Sequence, residues 1–187
     1  MQISETRQSQ ENMRTYKITV PKRYAGARVT PADYGPEVEG WIKDPKDFLF
    51  IYGETGCGKT YLASAVCQDL GARGIKCGFE VGAEVFLKLR KSFDRDSLQS
   101  EWEIIKKYRS AVVGVFDDVG ATGCRDYVLE SWYNIINHRY NECIPTMFTS
   151  NHGLEQISNL MGDRIASRLA SGIVYKMAGG DRRVKCR

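Results

Sequence analysis

The segment from Gly53 to Thr60, "GETGCGKT", constrains what this chain can fold into more than any other stretch of it. It fits the spacing G-x-x-x-x-G-K-[ST] and stands between two different hydrophobic patterns. Before it, "DFLFIYG" is a short continuous apolar run ending in glycine, the pattern of a strand buried on both faces. After it, "KTYLASAVCQDLGARG" carries apolar residues at 62, 65, 66 and 70, a helical spacing closed by glycines. A strand that turns through glycines into a helix aims successive backbone N–H groups at one point, where the helix dipole adds partial positive charge. Glycine lets that backbone approach a phosphate closely. The expected nucleotide-binding residues are therefore Gly53, Glu54, Thr55, Gly56, Cys57, Gly58, Lys59, Thr60 and Tyr61. Lys59 would reach the β- and γ-phosphates of ATP or ADP, and the Thr60 hydroxyl would hold Mg²⁺. Cys57 fills a variable position, where its backbone N–H matters more than its sulfur. Its thiol is expected beside the phosphates, shielded from thiol reagents by bound nucleotide.

The rest of the chain repeats the alternation. "IKCGFEV", "AVVGVFDDVG", "IPTMFTSN" and "IVYKMAG" read as further strands. "GAEVFLKLRKSF", "DSLQSEWEIIKKYRS" (with an Asp or Ser cap), "DYVLESWYNIINHRYNE" and "DRIASRLASG" read as helices. Alternating strands and helices predict an α/β fold, a five-stranded parallel sheet flanked by helices. No large separate lid domain is expected. The prolines and glycines between Tyr16 and Pro45 suggest an irregular lead-in, and residues 1–15 a disordered polar arm. Residues 16–187 are then a single domain, an ordinary size for one.

Composition removes several classes. The six cysteines include no C-x-x-C pair, so zinc spacing is absent and reduced thiols in a cytoplasm are the simplest reading. The polar start lacks the apolar core of a signal peptide, and no apolar run approaches a membrane span. A net charge of +4 permits a polyanionic partner without demanding one.

Three further groups carry chemistry. Asp117 and Asp118 end the strand "VVGVFDDV", at the edge where open α/β sheets bind ligands. Asp117 is the expected Mg²⁺ partner, and Asp118 is placed to orient or activate the attacking water. Alone, two such acids could equally be a solvated turn. Asn151, after "TMFTS", either contacts the γ-phosphate or its water, or serves ordinary turn chemistry. Arg164 and Arg168 lie i, i+4 on one helical face. They are either a solvated pair or an arginine finger offered to another subunit's nucleotide. The basic end "GGDRRVKCR" reads most simply as a tail.

The stretches "VPKRYAGA", "LFIYGETGCGKTYLASAV", "VGVFDDVG", "YNIINHRYNECIPTMFTSN" and "GDRIASRLASG" together give the chain its resemblance. In this order they resemble the AAA+ ATPases of the bacterial and phage replicative-helicase loader group, the DnaC/DnaI type, with the IstB transposition ATPases as close relatives. The resemblance implies an AAA+ P-loop fold, assembly into homo-oligomers through shared ATP sites, single-stranded DNA as a ligand and a replicative helicase as partner. It gives Asn151 a sensing role at the γ-phosphate and makes Arg168 the trans-acting finger, supported by Arg164. It gives Arg183 the reading of nucleotide in cis, with Arg182 as the alternative. Tyr24 and Ala25 fall in the segment that lines the adenine pocket. The insert around 82–109 falls where the group contacts DNA and packs subunits, with Lys88, Arg90 and Lys91 either touching phosphates or merely solvated. Two departures stand out: the start is about 15 polar residues instead of a helicase-binding domain, and Asp118 replaces the glutamate of many AAA+ proteins. The shorter acid is compatible with slow hydrolysis. The expected activity is ATP hydrolysis in DNA replication as a helicase loader. The alternatives are an IstB-like transposition helper, a P-loop small-molecule kinase and a protein that binds ATP without hydrolysing it.

Overall fold

Strand β1, Phe48–Tyr52, turns Phe48 and Phe50 toward one face of the sheet and Leu49 and Ile51 toward the other, and all four are buried. That alternation divides the core in two. The structure, a computed structural model, describes residues 20–30, 34–93, 97–121 and 126–182. The expected arm at 1–15 and Arg183 lie outside these residues.

In chain order, a 3-10 turn at Lys22–Tyr24 leads to α1 (Pro36–Lys43), β1, α2 (Lys59–Ala72), β2 (Cys77–Val81), α3 (Gly82–Lys91) and α4 (Glu101–Ser110). Then come β3 (Val113–Asp117), α5 (Asp126–Asn141), β4 (Thr146–Ser150), α6 (Leu154–Met161), α7 (Asp163–Leu169) and β5 (Ile173–Lys176). The five strands are parallel in the order β2-β3-β4-β1-β5. On one face Phe48, Phe50, Phe116 and Phe148 pack against Trp132, Ile135 and Ile136 of α5 and residues of α3, α4, α6 and α7. On the other, Leu49, Ile51, Val113, Val115 and Met147 meet Leu62, Val66 and Leu70 of α2 and Val38, Trp41 and Ile42 of α1. An aromatic core thus backs five helices and an aliphatic core backs two.

Two helices depart from the sequence reading. The lead-in is not wholly irregular: Pro36 opens α1 at its first position, where its missing N–H costs nothing. Val38, Trp41 and Ile42 then bury one face of it, and Trp41 Nε1 donates to Lys46 O at 2.7 Å. Helix α6 follows β4, with Ile157 and Met161 buried one turn apart. The cap of α4 is Ser100, which forms a capping box with Glu103.

Arg139 pins α5 to the sheet. It is fully buried and donates to Thr146 Oγ1 (2.7 Å), Tyr108 O (2.9 Å), Ala111 O (2.8 Å) and Pro145 O (2.9 Å). Burial pulls its pKa down to about 10, so it stays charged at neutral pH. Gly114 of β3 makes room for it, because a Cβ there would stand 2.9 Å from Nη2.

Candidate nucleotide site

Because β4 lies between β1 and β3, its carboxyl end separates the glycine loop from the acid pair and bonds to both. Gly53 N donates to Ser150 O at 3.3 Å, and Val119 N donates to Thr149 O at 2.8 Å. The Thr149 hydroxyl donates to Asp117 Oδ1 at 2.5 Å and accepts from Asp118 N at 3.0 Å. Asn151 Nδ2 donates to Asp118 Oδ1 at 2.8 Å. The Thr60 hydroxyl faces the Asp117 carboxylate closely enough to favour its charged form.

Asp117 is only 3% exposed. Burial holds its carboxyl above the ordinary aspartate value; the bond from Thr149, the facing Thr60 hydroxyl and the charge of Lys59 oppose this, while Asp118 adds to it. A carboxylate kept in so dry a place gains from a cation beside it. Asp118 has a positive φ of 56°, a left-handed conformation that aspartate tolerates better than most residues, and it opens toward the pocket.

Gly56 and Gly58 take positive φ values of 84° and 112°. They also make room for a crossing chain. Beyond β5, Arg182 N donates to Gly56 O at 3.1 Å, and a Cβ on Gly56 would collide with Asp181. Lys59, buried at the start of α2, donates to Gly53 O and Glu54 O, both at 2.8 Å. Its ammonium therefore lies folded against the loop that it would leave for a phosphate.

A cavity of about 420 Å³ opens over these groups. Thr55, Gly56, Gly58, Lys59, Thr60 and Tyr61 line its floor, Asp118, Thr149 and Asn151 one wall, and Arg23, Tyr24 and Arg182 its rim. Gly53, Glu54, Cys57 and Asp117 are not among the lining residues; Asp117 lies behind Thr149, which is. Cys57 is fully buried and belongs to the aliphatic core, with its thiol 3.8 Å from Lys59 Nζ, so it does not open onto the cavity from which a thiol reagent would reach it. The left-handed glycines on either side turn its side chain under the loop. The donor set fits ATP with Mg²⁺: a helix N-terminus, an ammonium, and the Thr60 hydroxyl facing a buried carboxylate.

Arg168 lies elsewhere. It is half-buried on α7 against α5, where Asn137 Oδ1 accepts from its Nε (2.9 Å) and Nη2 (2.6 Å) and Tyr133 Oη accepts from Nη2 (3.0 Å). Arg164, exposed, stacks over the Tyr133 ring at 3.7 Å. Neither arginine lines the cavity. On α3, Lys88 pairs with Glu80 at 2.7 Å, while Arg90 and Lys91 are exposed.

The sequence reading passed over Thr149. Its signal was its place in "TMFTSN": a hydroxyl inside a buried strand must find a partner, and the acids end the strand beside it.

With this geometry in view, the family match is decisive: the model for IstB-like ATP binding proteins covers residues 39–178. The chain belongs to the IstB-like ATP-binding protein family. Among curated proteins, this IstB-like chain is 27% identical over 139 residues to the replicative helicase loader DnaC of Escherichia coli (strain K12). That match takes in 74% of the chain and 55% of DnaC. It is 24% identical over 112 residues to the replicative helicase loader DnaI of Bacillus subtilis (strain 168), across 59% of the chain and 35% of DnaI. The IstB-like chain thus spans about half the length of DnaC or less of its curated relatives. Among solved structures, a crystal structure of DnaI superposes with a TM-score of 0.72 at 23% identity, covering 89% of this chain and 95% of that one. One of the DnaC helicase loader gives 0.71 at 21% identity, over 84% and 100%. The replication initiator DnaA bound to AMPPCP and single-stranded DNA gives 0.71 at 18% identity, over 86% and 51%. The sheet of this IstB-like protein and its flanking helices are those of an AAA+ P-loop domain.

Proposed function

We propose that this protein is an ATP-dependent assembly factor of DNA replication, acting in the cytoplasm as a loader of a replicative helicase. ATP, when bound with Mg²⁺, supplies the γ-phosphoryl group for hydrolysis and a cation that offsets its charge. Thr60 and Asp117 hold the metal. Lys59 exchanges its loop carbonyls for phosphate oxygens. Asp118, steered by Asn151, orients the attacking water. Arg182 at the rim reads the nucleotide in cis, with Arg183 beside it in sequence; Tyr24 and Tyr61 border the base. Arg168 completes the site on another subunit, and the assembled protein engages single-stranded DNA.

One observation carries this reading. Thr55, Gly56, Gly58, Lys59, Thr60, Asp118 and Asn151 share one cavity, with Asp117 bonded to the Thr149 that lines its wall, while the arginine that would offset transition-state charge lies on another surface. Hydrolysis in such a protein depends on assembly, and only differences between the ATP and ADP states can drive a cycle. The similarity to DnaC and DnaI supports the helicase as partner.

Affinity capture with ATP bound tests the reading. A replicative helicase in the captured material supports it; capture without any helicase removes the loader role and leaves the nucleotide site intact. The family match favours a second reading, an IstB-like helper that marks DNA for a transposase. Capture of a transposase instead of a helicase would select it.

A further inference from the structure

Helices α5 and α7 face each other through two i, i+4 pairs: Tyr133 and Asn137 on one, Arg164 and Arg168 on the other. The contacts between them are unusual in one respect. Asn137 Oδ1 accepts from Arg168 Nε at 2.9 Å, from Nη2 at 2.6 Å, and from Tyr133 Oη at 3.3 Å. Tyr133 Oη accepts from Nη2 at 3.0 Å, and the Arg164 carbonyl accepts from Nη1 at 2.8 Å. A guanidinium has five N–H groups. These contacts fix four of them, and among the described residues neither Arg168 nor Arg164 forms an ion pair. A fork that grips a guanidinium is ordinarily a carboxylate, which also cancels its charge. Here a single amide oxygen, Asn137 Oδ1, takes both N–H groups.

We infer that Asn137, with Tyr133, is a positioning residue that aims Arg168 at another subunit's nucleotide while leaving its positive charge whole. This rests on the proposed role of Arg168 as a trans-acting finger. The amide fixes the guanidinium by geometry alone. The Tyr133 ring carries both cations on its face, with Arg164 at 3.7 Å and Arg168 at 4.8 Å, which eases their mutual repulsion. The clip is stiff because α5 is fixed elsewhere by buried Arg139 and by Trp132, Ile135 and Ile136 in the core. What remains is a half-buried, oriented cation with one N–H left to give, suited to a phosphate oxygen.

Asn137→Asp tests this. It keeps the shape of the side chain and adds the charge that would bind Arg168 tightly. The expected result is ATP turnover of the assembled protein lowered about tenfold or more, since a finger contributes about 10³–10⁵ in rate. Fluorescent-ATP affinity and melting temperature should stay at wild-type values. Mixing in Lys59→Ala protein, whose Asn137 is intact, should restore turnover, because the repaired finger arrives from the neighbour. Asn137→Asp turning over like wild type while Arg168→Ala does not would overturn the positioning role alone. So would a defect that Lys59→Ala protein fails to repair. Wild-type turnover by Arg168→Ala would overturn the shared site and this inference with it.

Discussion

At the carboxyl ends of β1, β3 and β4, Lys59 and Asp117 are buried and answered by groups of their own chain: two loop carbonyls for the one, the Thr149 hydroxyl for the other. On α5 and α7, Arg164 and Arg168 rest on an amide, a phenol and an aromatic ring, and Arg164 is exposed. The phosphate side is a closed polar network, preorganised for a ligand that enters it. The arginine side holds two cations in a fixed direction with no anion of their own among the described residues. Buried charges are ordinarily paired, and exposed ones cost little when unpaired. Under the proposed function, the contrast separates a surface that receives a nucleotide from one that is presented to it.

That separation can be broken at four points. Arg168→Ala should give the largest effect: turnover of the assembled protein falls by about 10³ or more, while ATP affinity measured on dilute protein is kept. A parallel loss of affinity would mean that the two surfaces are not distinct. Lys59→Ala should strike the phosphate side instead, costing affinity as well as turnover. Losing one charge-assisted contact weakens ATP binding about 10- to 100-fold, readable by titration with fluorescent nucleotide.

Asp117→Asn sharpens the phosphate side alone. An acid whose folded pKa lies above its unfolded value binds more protons when folded. Stability then falls as pH rises from the ordinary aspartate value toward the folded one, and stays lower above it. Asp117 is such a group, chiefly through burial. The amide removes that cost, so without nucleotide the melting temperature at neutral pH should rise, and the gain should vanish in acid. Turnover should be lost. Tyr133→Phe is the smallest change. It keeps the ring under Arg164 and deletes one hydrogen bond to Arg168, lowering turnover about threefold to tenfold with affinity unchanged.

The two surfaces also differed in how far the sequence disclosed them. The placement of the glycine loop, Lys59, Thr60, Asp117, Asp118 and Asn151 could be read directly, because each sits at a strand end or helix start that hydrophobic periodicity locates. Backbone direction places such residues before any tertiary contact is known. The parallel five-stranded sheet followed from the same alternation. Thr149 and the burial of Cys57 were not legible. Both depend on which way a side chain turns once β4 lies between β1 and β3, and strand order is not written in local pattern. Helix α1 escaped because Pro36 was counted as a breaker, although proline at a first helical position is a start signal. The spacing of Arg164 and Arg168 showed that they share a face, but not that Asn137 and Tyr133 stand opposite, since contacts between helices far apart in sequence leave no periodic trace.

The central claim is that one chain supplies the pocket and another the arginine. The most direct measurement is phosphate release from a mixture of Lys59→Ala and Arg168→Ala proteins, each inactive alone. The account predicts that the mixture regains turnover, because an intact pocket on the Arg168→Ala subunit meets an intact arginine on its Lys59→Ala neighbour. A mixture as silent as its components, in assemblies shown by fluorescence transfer to contain both proteins, would contradict it.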